Sequence, residues 1–133
     1  MGALALTGNP RYQEGFGEPL AGIHHVVKVG NTAYIAGEIA LDKDNNLIGK
    51  GDPEAQVEQI YKNLELACNA VGGTLTNMVK TTTWITSTEY FPVIGRAREK
   101  HYGPNMPVNA TLIISALVNP DLLIEIEGIA HIE

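Results

Sequence analysis

The stretch MPVNATLIISALVNPDLLIEIEGIAH, from Met106 to His131, decides the fold. It reads as two apolar runs broken by Asn119-Pro120-Asp121, and the second run alternates Ile124, Glu125, Ile126, Glu127 with the period of two that marks a strand with one buried face. The pattern predicts two strands arranged as a hairpin-like pair. Two carboxylates then stand on the face opposite the isoleucines, close after a strand that begins with Asn109 and Thr111 in place of plain apolar residues.

Working outward from this stretch, His24 to Val29 and Thr32 to Ile39 are β-rich runs joined by Gly30-Asn31, a connection suited to a tight hairpin because both residues tolerate φ > 0. Leu47 and Ile48 form a short extended piece in the polar, Gly-containing segment from Asp42 to Gly51. A helix is signalled by Asp52 as N-cap and Pro53 at its first position. Val57, Ile60, Tyr61, Leu64, Ala67, Cys68 and Val71 follow at spacings of three and four, before Gly72-Gly73. Glu58 and Lys62 are spaced for an i,i+4 pair on its outer side.

Met78 to Ser87 predicts a strand, with Val79, Thr81, Thr83 and Ile85 on one face and Lys80, Thr82, Trp84 and Thr86 on the other. A second helix is expected from Ser87 or Thr88 to Gly103-Pro104, with Phe91, Ile94, Ala97 and Tyr102 inward. Residues 1–22, rich in Gly and Pro, read as irregular apart from a short strand at Ala3 to Leu6. The order is therefore β-β-α-β-α-β-β, an α+β mixed sheet with two helices on one face. Lys80, Thr82, Trp84, Asn109, Thr111 and Glu125 are expected on the uncovered side, and a Trp there points to oligomerisation through that face.

A length of 133 residues predicts a single domain over 1–133, with about two-thirds of the unfolded surface buried. Nine Lys and Arg against 15 Asp and Glu give a net charge of -6, the wrong sign for collecting phosphates, so nucleic acid is not an expected partner. The single Cys68 allows no internal disulfide, and no stretch has the plan of a signal peptide or a membrane span. A cytoplasmic location without membrane partners is expected. His24 and His25 are adjacent and point apart on a strand, and no third ligand stands at a recognised spacing, so no metal is expected.

Several pieces of the chain together resemble the YjgF/RidA family, the reactive-intermediate deaminases. They are Lys28-Val29-Gly30-Asn31-Thr32, Ala36-Gly37-Glu38-Ile39, the helix from Gln56 through Asn63-Leu64 to Gly72-Gly73, Val79-Lys80-Thr81-Thr82, and above all Pro107 onward with Ile124-Glu125-Ile126-Glu127-Gly128-Ile129-Ala130. The resemblance implies a chorismate-mutase-like fold, a homotrimer with its sheets packed into a central barrel, and small-molecule sites in the clefts between subunits. It implies cofactor-free hydrolysis of reactive enamines and imines, such as 2-aminoacrylate and its imine tautomer, to a keto acid and ammonia.

Carried over by position, Glu125 falls on the family's acidic site residue, Thr111 on the residue whose backbone faces the ligand, and Gly37 on the glycine lining the cleft. The arginine that binds the substrate carboxylate in catalytic members is replaced by Asn109, which offers neither charge nor a bidentate fork. Ile23 or His24 occupies the region of a tyrosine found early in those members. Trp84 reads as interface core, with stacking on a planar ligand as the second reading. Arg96 and Arg98 read as solvated helix charges, with replacement of the missing arginine by either as the second reading where the helix end borders the cleft, and Cys68 reads as inert core.

The expected function is that of a hydrolytic deaminase in which Glu125 holds and deprotonates water and Asn109, Thr111, Gly37, Ile23, His24 and Trp84 line the substrate site. The alternative is a trimeric small-molecule-binding or regulatory protein of the same fold that lost the chemistry with the arginine. Ribonuclease activity is disfavoured by the charge.

Overall fold

The structure, a computed structural model, describes residues 24–133; Ile23 and the strand expected at Ala3 to Leu6 lie outside them. Strands β1 (Val26–Val29) and β2 (Thr32–Glu38) form the expected antiparallel hairpin, with Val29 opposite Thr32. Of the two turn residues only Gly30 takes a positive φ, at 57°. Glycine at the first central position is what a type II′ connection requires.

Helix α1 (Pro53–Ala70) starts as its sequence specifies, with the Asp52 carboxylate accepting from Ala55 N at 3.1 Å. Its apolar stripe is buried to the last residue, Val71 included. Two polar side chains lie within that stripe and are satisfied there. Gln56 donates to the carbonyls of Gly49 (3.0 Å) and Asp121 (2.8 Å) and accepts from Leu123 N at 2.8 Å, while Asn63 donates to Ile39 and Leu41 carbonyls. Buried amides of this kind fasten the loops to the helix because losing either partner would strand a desolvated group. The Glu58–Lys62 pair expected along the helix does not form. Glu58 instead meets Lys100 at 3.0 Å and His101 at 2.9 Å, because the second helix packs beside the first and offers nearer cations.

Strand β3 (Met78–Ile85) is followed by a single 3-10 turn at Thr88–Tyr90 and then α2 (Phe91–Tyr102). The turn delays the α-helical register, so Val93, Ile94, Ala97 and Tyr102 face inward and Phe91, expected inside, is exposed. A bulge between Met78 and Lys80 buries Met78 and turns Val79 outward, contrary to its expected place beside Thr81.

The last strands, β4 (Val108–Ile113) and β5 (Ile124–His131), are not a hairpin. The sheet order is β1-β2-β5-β3-β4, so β3 lies between them, parallel to β4 and antiparallel to β5. The connection carries Leu122 into the core and is tied to α1 through Gln56, which draws β5 past β4 to the far side of β3.

Ile124 and Ile126 are 0% and 1% exposed, each worth about 1.5–3 kcal/mol of burial, and their phase turns Glu125 to the open side. Asn109 and Thr111, by contrast, are not on that side. They stand in register with buried Thr81 and Thr83, so they share the helix-covered face. Alternation within β4 gave its period but not its phase relative to β3, which only the parallel pairing supplies.

Candidate functional site

On the open face, Glu125 stands across from Trp84 on β3 and beside Gly37 on β2. A Cβ at Gly37 would overlap the Glu125 carboxylate, so the missing side chain is the space the carboxylate occupies. Strand β2 is irregular between Ile35 and Glu38, and this bulge turns Glu38 into the interior beside Gly37. The Glu38 carboxylate is held there by His25, whose Nδ1 lies 2.7 Å from Oε1. Burial pushes the Glu38 carboxyl above its ordinary range, and the hydrogen bond and charge of His25 recover only part of the shift. Glu125 is raised as well, first by desolvation and then by the charges of Glu38 and Glu127. A partly desolvated carboxylate with a raised pKa can take a proton from water near neutral pH.

On the helix-covered face a second polar group forms around Asn109. In the orientation that satisfies both its ends, Asn109 Nδ2 donates to Thr81 Oγ1 (2.8 Å), Thr83 Oγ1 (3.0 Å) and the Thr81 carbonyl (3.3 Å). Its Oδ1 accepts from Arg98 Nη2 (2.9 Å), Thr111 Oγ1 (2.8 Å) and Ala110 N (3.2 Å). The reverse orientation would aim the amide NH₂ at the guanidinium, donor against donor, which settles the assignment. Every polar atom of the Asn109 side chain is thus engaged within the protomer. Its expected role as the substitute for a carboxylate clamp does not match this geometry.

The residues singled out in the sequence therefore separate. Glu125, Gly37 and Trp84 come together on the open face, and Asn109 and Thr111 lie behind the sheet. His24 precedes β1, with its Nδ1 buried and without a hydrogen-bond partner among the described residues. One residue was missed, and another was given solvation as its first reading. Glu38 owes its position to a bulge that no hydrophobic period announces. Arg98, read as solvated, had a signal: it stands four residues after Ile94 and four before Tyr102, both buried, on the inward stripe of α2. Arg96, by contrast, pairs with Glu54.

No helix among the described residues is long and apolar enough to cross a membrane. A five-stranded mixed sheet covered by two helices on one side, with a carboxylate set against a glycine on the other, defines a small α+β protein with a candidate acid–base site. Residues 18–132 match the family described as Endoribonuclease L-PSP. The chain belongs to this family, the YjgF/RidA family that its motifs resemble. It is 30% identical over 122 residues to a RutC family protein of Pyrococcus horikoshii, covering 92% of this chain and 96% of the relative. It is 27% identical over 119 residues to the 3-aminoacrylate deaminase RutC of Acinetobacter baylyi, covering 90% and 94%. The crystal structure of RidA from an Antarctic Psychrobacter species superposes with a TM-score of 0.82 at 30% identity, covering 88% of this chain and 94% of that one.

Proposed function

We propose that the protein is a cofactor-free hydrolytic deaminase of small reactive enamines and imines, working in the cytoplasm as a homotrimer with sites between subunits. The single observation that carries this reading is the placement of Glu125, a carboxylate of raised pKa on the open face, in the space left by Gly37 and beside Trp84. A relative named as a 3-aminoacrylate deaminase supports the reaction class. The enamine first tautomerises, a proton passing from nitrogen to carbon to give the imine. Glu125 then takes a proton from water as the water oxygen attacks the C=N carbon and returns that proton to the nitrogen, and the carbinolamine collapses to a carbonyl group as its hydroxyl proton passes to the nitrogen, which leaves as ammonia.

Exposed Tyr34, Val108 and Leu112, together with Trp84, make the open face more apolar than water favours, as an interface requires. Sedimentation should give three times the chain mass of 14.3 kDa. The activity is tested by generating 2-aminoacrylate and 3-aminoacrylate in the presence of the protein and measuring ammonia release. Acceleration over the spontaneous rate is expected. No acceleration, with keto acids still bound, would favour the binding-protein reading instead.

A further inference from the structure

Among the described residues Glu38 is the one buried carboxylate, 3% exposed. The core's other polar side chains outside the aromatic and thiol groups are neutral: Gln56 and Asn63 fasten loops with their amides, and Thr81 and Thr83 bond to Asn109. A glutamine at 38 would also reach His25 without burying a charge, so the carboxylate destabilises the fold while holding nothing that an amide could not hold.

Its place relative to Glu125 gives that charge a use. The β2 bulge brings Glu38 opposite Ile126, the residue after Glu125, while Gly37, the residue before Glu38, faces the Glu125 carboxylate with no side chain of its own. The two carboxylates thus lie one register step apart, on either side of the β2 backbone at Gly37. His25 clasps the inner one, with Nδ1 2.7 Å from Oε1 and 3.2 Å from Oε2. A charge held in the interior is screened less than one in water. The other groups around Glu125 do not offset it. Among the described residues Glu127 adds a second negative charge along β5, and β3 sets Trp84 opposite Glu125, with Lys80 farther along in the crevice that Glu127 lines.

We infer that Glu38, clasped by His25, is a positioning residue for the reaction: a buried negative charge behind Gly37 that keeps Glu125 basic enough to take a proton from water and return it to the substrate nitrogen. The reaction rests on the deaminase reading, whereas the coupling of the two carboxylates rests on their placement. An ordinary carboxylate is a weak base near neutral pH, and a base that must also give its proton back works best when poised near the working pH. Desolvation favours the neutral acid at Glu38, and the hydrogen bond and charge of His25 oppose it, so the clasp preserves the charge that Glu125 feels.

Carboxyl carbon NMR on the full-length protein follows both glutamates as pH is raised, with resonances assigned through the backbone and melting curves recorded for each variant. Glu38→Gln should move the Glu125 titration to lower pH. Glu125→Gln should move the Glu38 titration down by the same amount, because coupling between two sites is reciprocal. His25→Phe should move the Glu38 titration to higher pH. In the rate of ammonia release, Glu38→Gln should carry the acid limb of the pH profile to lower pH, whereas loss of a merely structural residue would lower the rate at every pH and leave the limb in place. A Glu125 titration unmoved by Glu38→Gln, or a reduced rate with its limb unmoved, would overturn the proposal, and a Glu38 titration unmoved in His25→Phe would overturn the role of the clasp. Should Glu38→Gln not fold, the Glu38 titration in Glu125→Gln decides: a shift to lower pH upholds the coupling and no shift overturns it. Reciprocal shifts without ammonia release at any pH would uphold the coupling while removing the deaminase reading.

Discussion

The two faces of the sheet hold two polar groups of opposite character. Around Asn109 hydrogen bonds close on one another: six contacts saturate one amide, and two of its partners, Thr81 and Thr83, are 3% and 1% exposed. Around Glu125 nothing closes among the described residues. The carboxylate lies across a glycine, next to a second, buried carboxylate, and both are pushed above their ordinary pKa. The helix-side group is one the fold depends on, whereas the open-face group is held at a cost to stability, as expected where a carboxylate is kept for chemistry.

Asn109→Leu should break the first group most severely. It strips the partner from two buried hydroxyls and from Arg98, and each stranded group costs about 1–3 kcal/mol, so a total loss of about 3 kcal/mol is expected in denaturant unfolding. A loss below about 1 kcal/mol would mean that water replaces the amide readily, and the contrast between the faces would shrink.

Gly37→Ala is the corresponding probe of the open face. The added Cβ meets the movable end of Glu125, so stability should change little while the carboxylate shifts by a fraction of its reach. Misplacement on that scale can lower ammonia release by up to about 100-fold. Unfolding curves and initial rates on the same preparation check both halves, and a variant that loses stability but keeps its rate would reverse the assignment.

The pH dependence sharpens the comparison further. Glu38 and Glu125 have folded pKa values above the ordinary 4.5, so the native state keeps protons that the unfolded chain has released. Their contribution is therefore fully present below about pH 4.5 and is lost as pH rises through the raised values. Glu38→Gln, which keeps a hydrogen-bonding group toward His25, should flatten the fall in unfolding free energy as pH rises above about 4.5. A fall as steep as in wild type would show that Glu38 is not the source.

The smallest effect is expected at Glu58. Burial opposes its ionisation, but Lys100 and His101 outweigh that and lower its pKa. The sign is opposite to Glu38: this stabilisation is present above about pH 4.5 and lost as pH falls through the lowered value. With the Glu58 side chain 39% exposed, Glu58→Gln should cost only about 0.5 kcal/mol, and less in high salt.

How much of this was legible in the sequence varied with the kind of information each feature needed. The cap at Asp52, the stripe of α1 and the Ile-Glu alternation of β5 are local patterns, and the structure reproduces them. The order of the strands is not local. Nothing in the run from Met106 to His131 says that β3 will lie between its two strands, and the error that made them a hairpin also put Asn109 on the wrong face. Bulges at 35–38 and 78–80 shift the period by one residue and so conceal Glu38 and misplace Val79. Arg98 could have been found, since a charge at i+4 from Ile94 and i−4 from Tyr102 interrupts an apolar stripe and requires a partner.

The most direct test is the rate of ammonia release from freshly generated 2-aminoacrylate by wild type and Glu125→Gln, with melting curves recorded for both. If Glu125 is the base on an open face held at a cost, the variant should be at least as stable as wild type and about 100- to 10,000-fold slower. An unchanged rate, or a rate lost only together with the fold, would contradict that assignment.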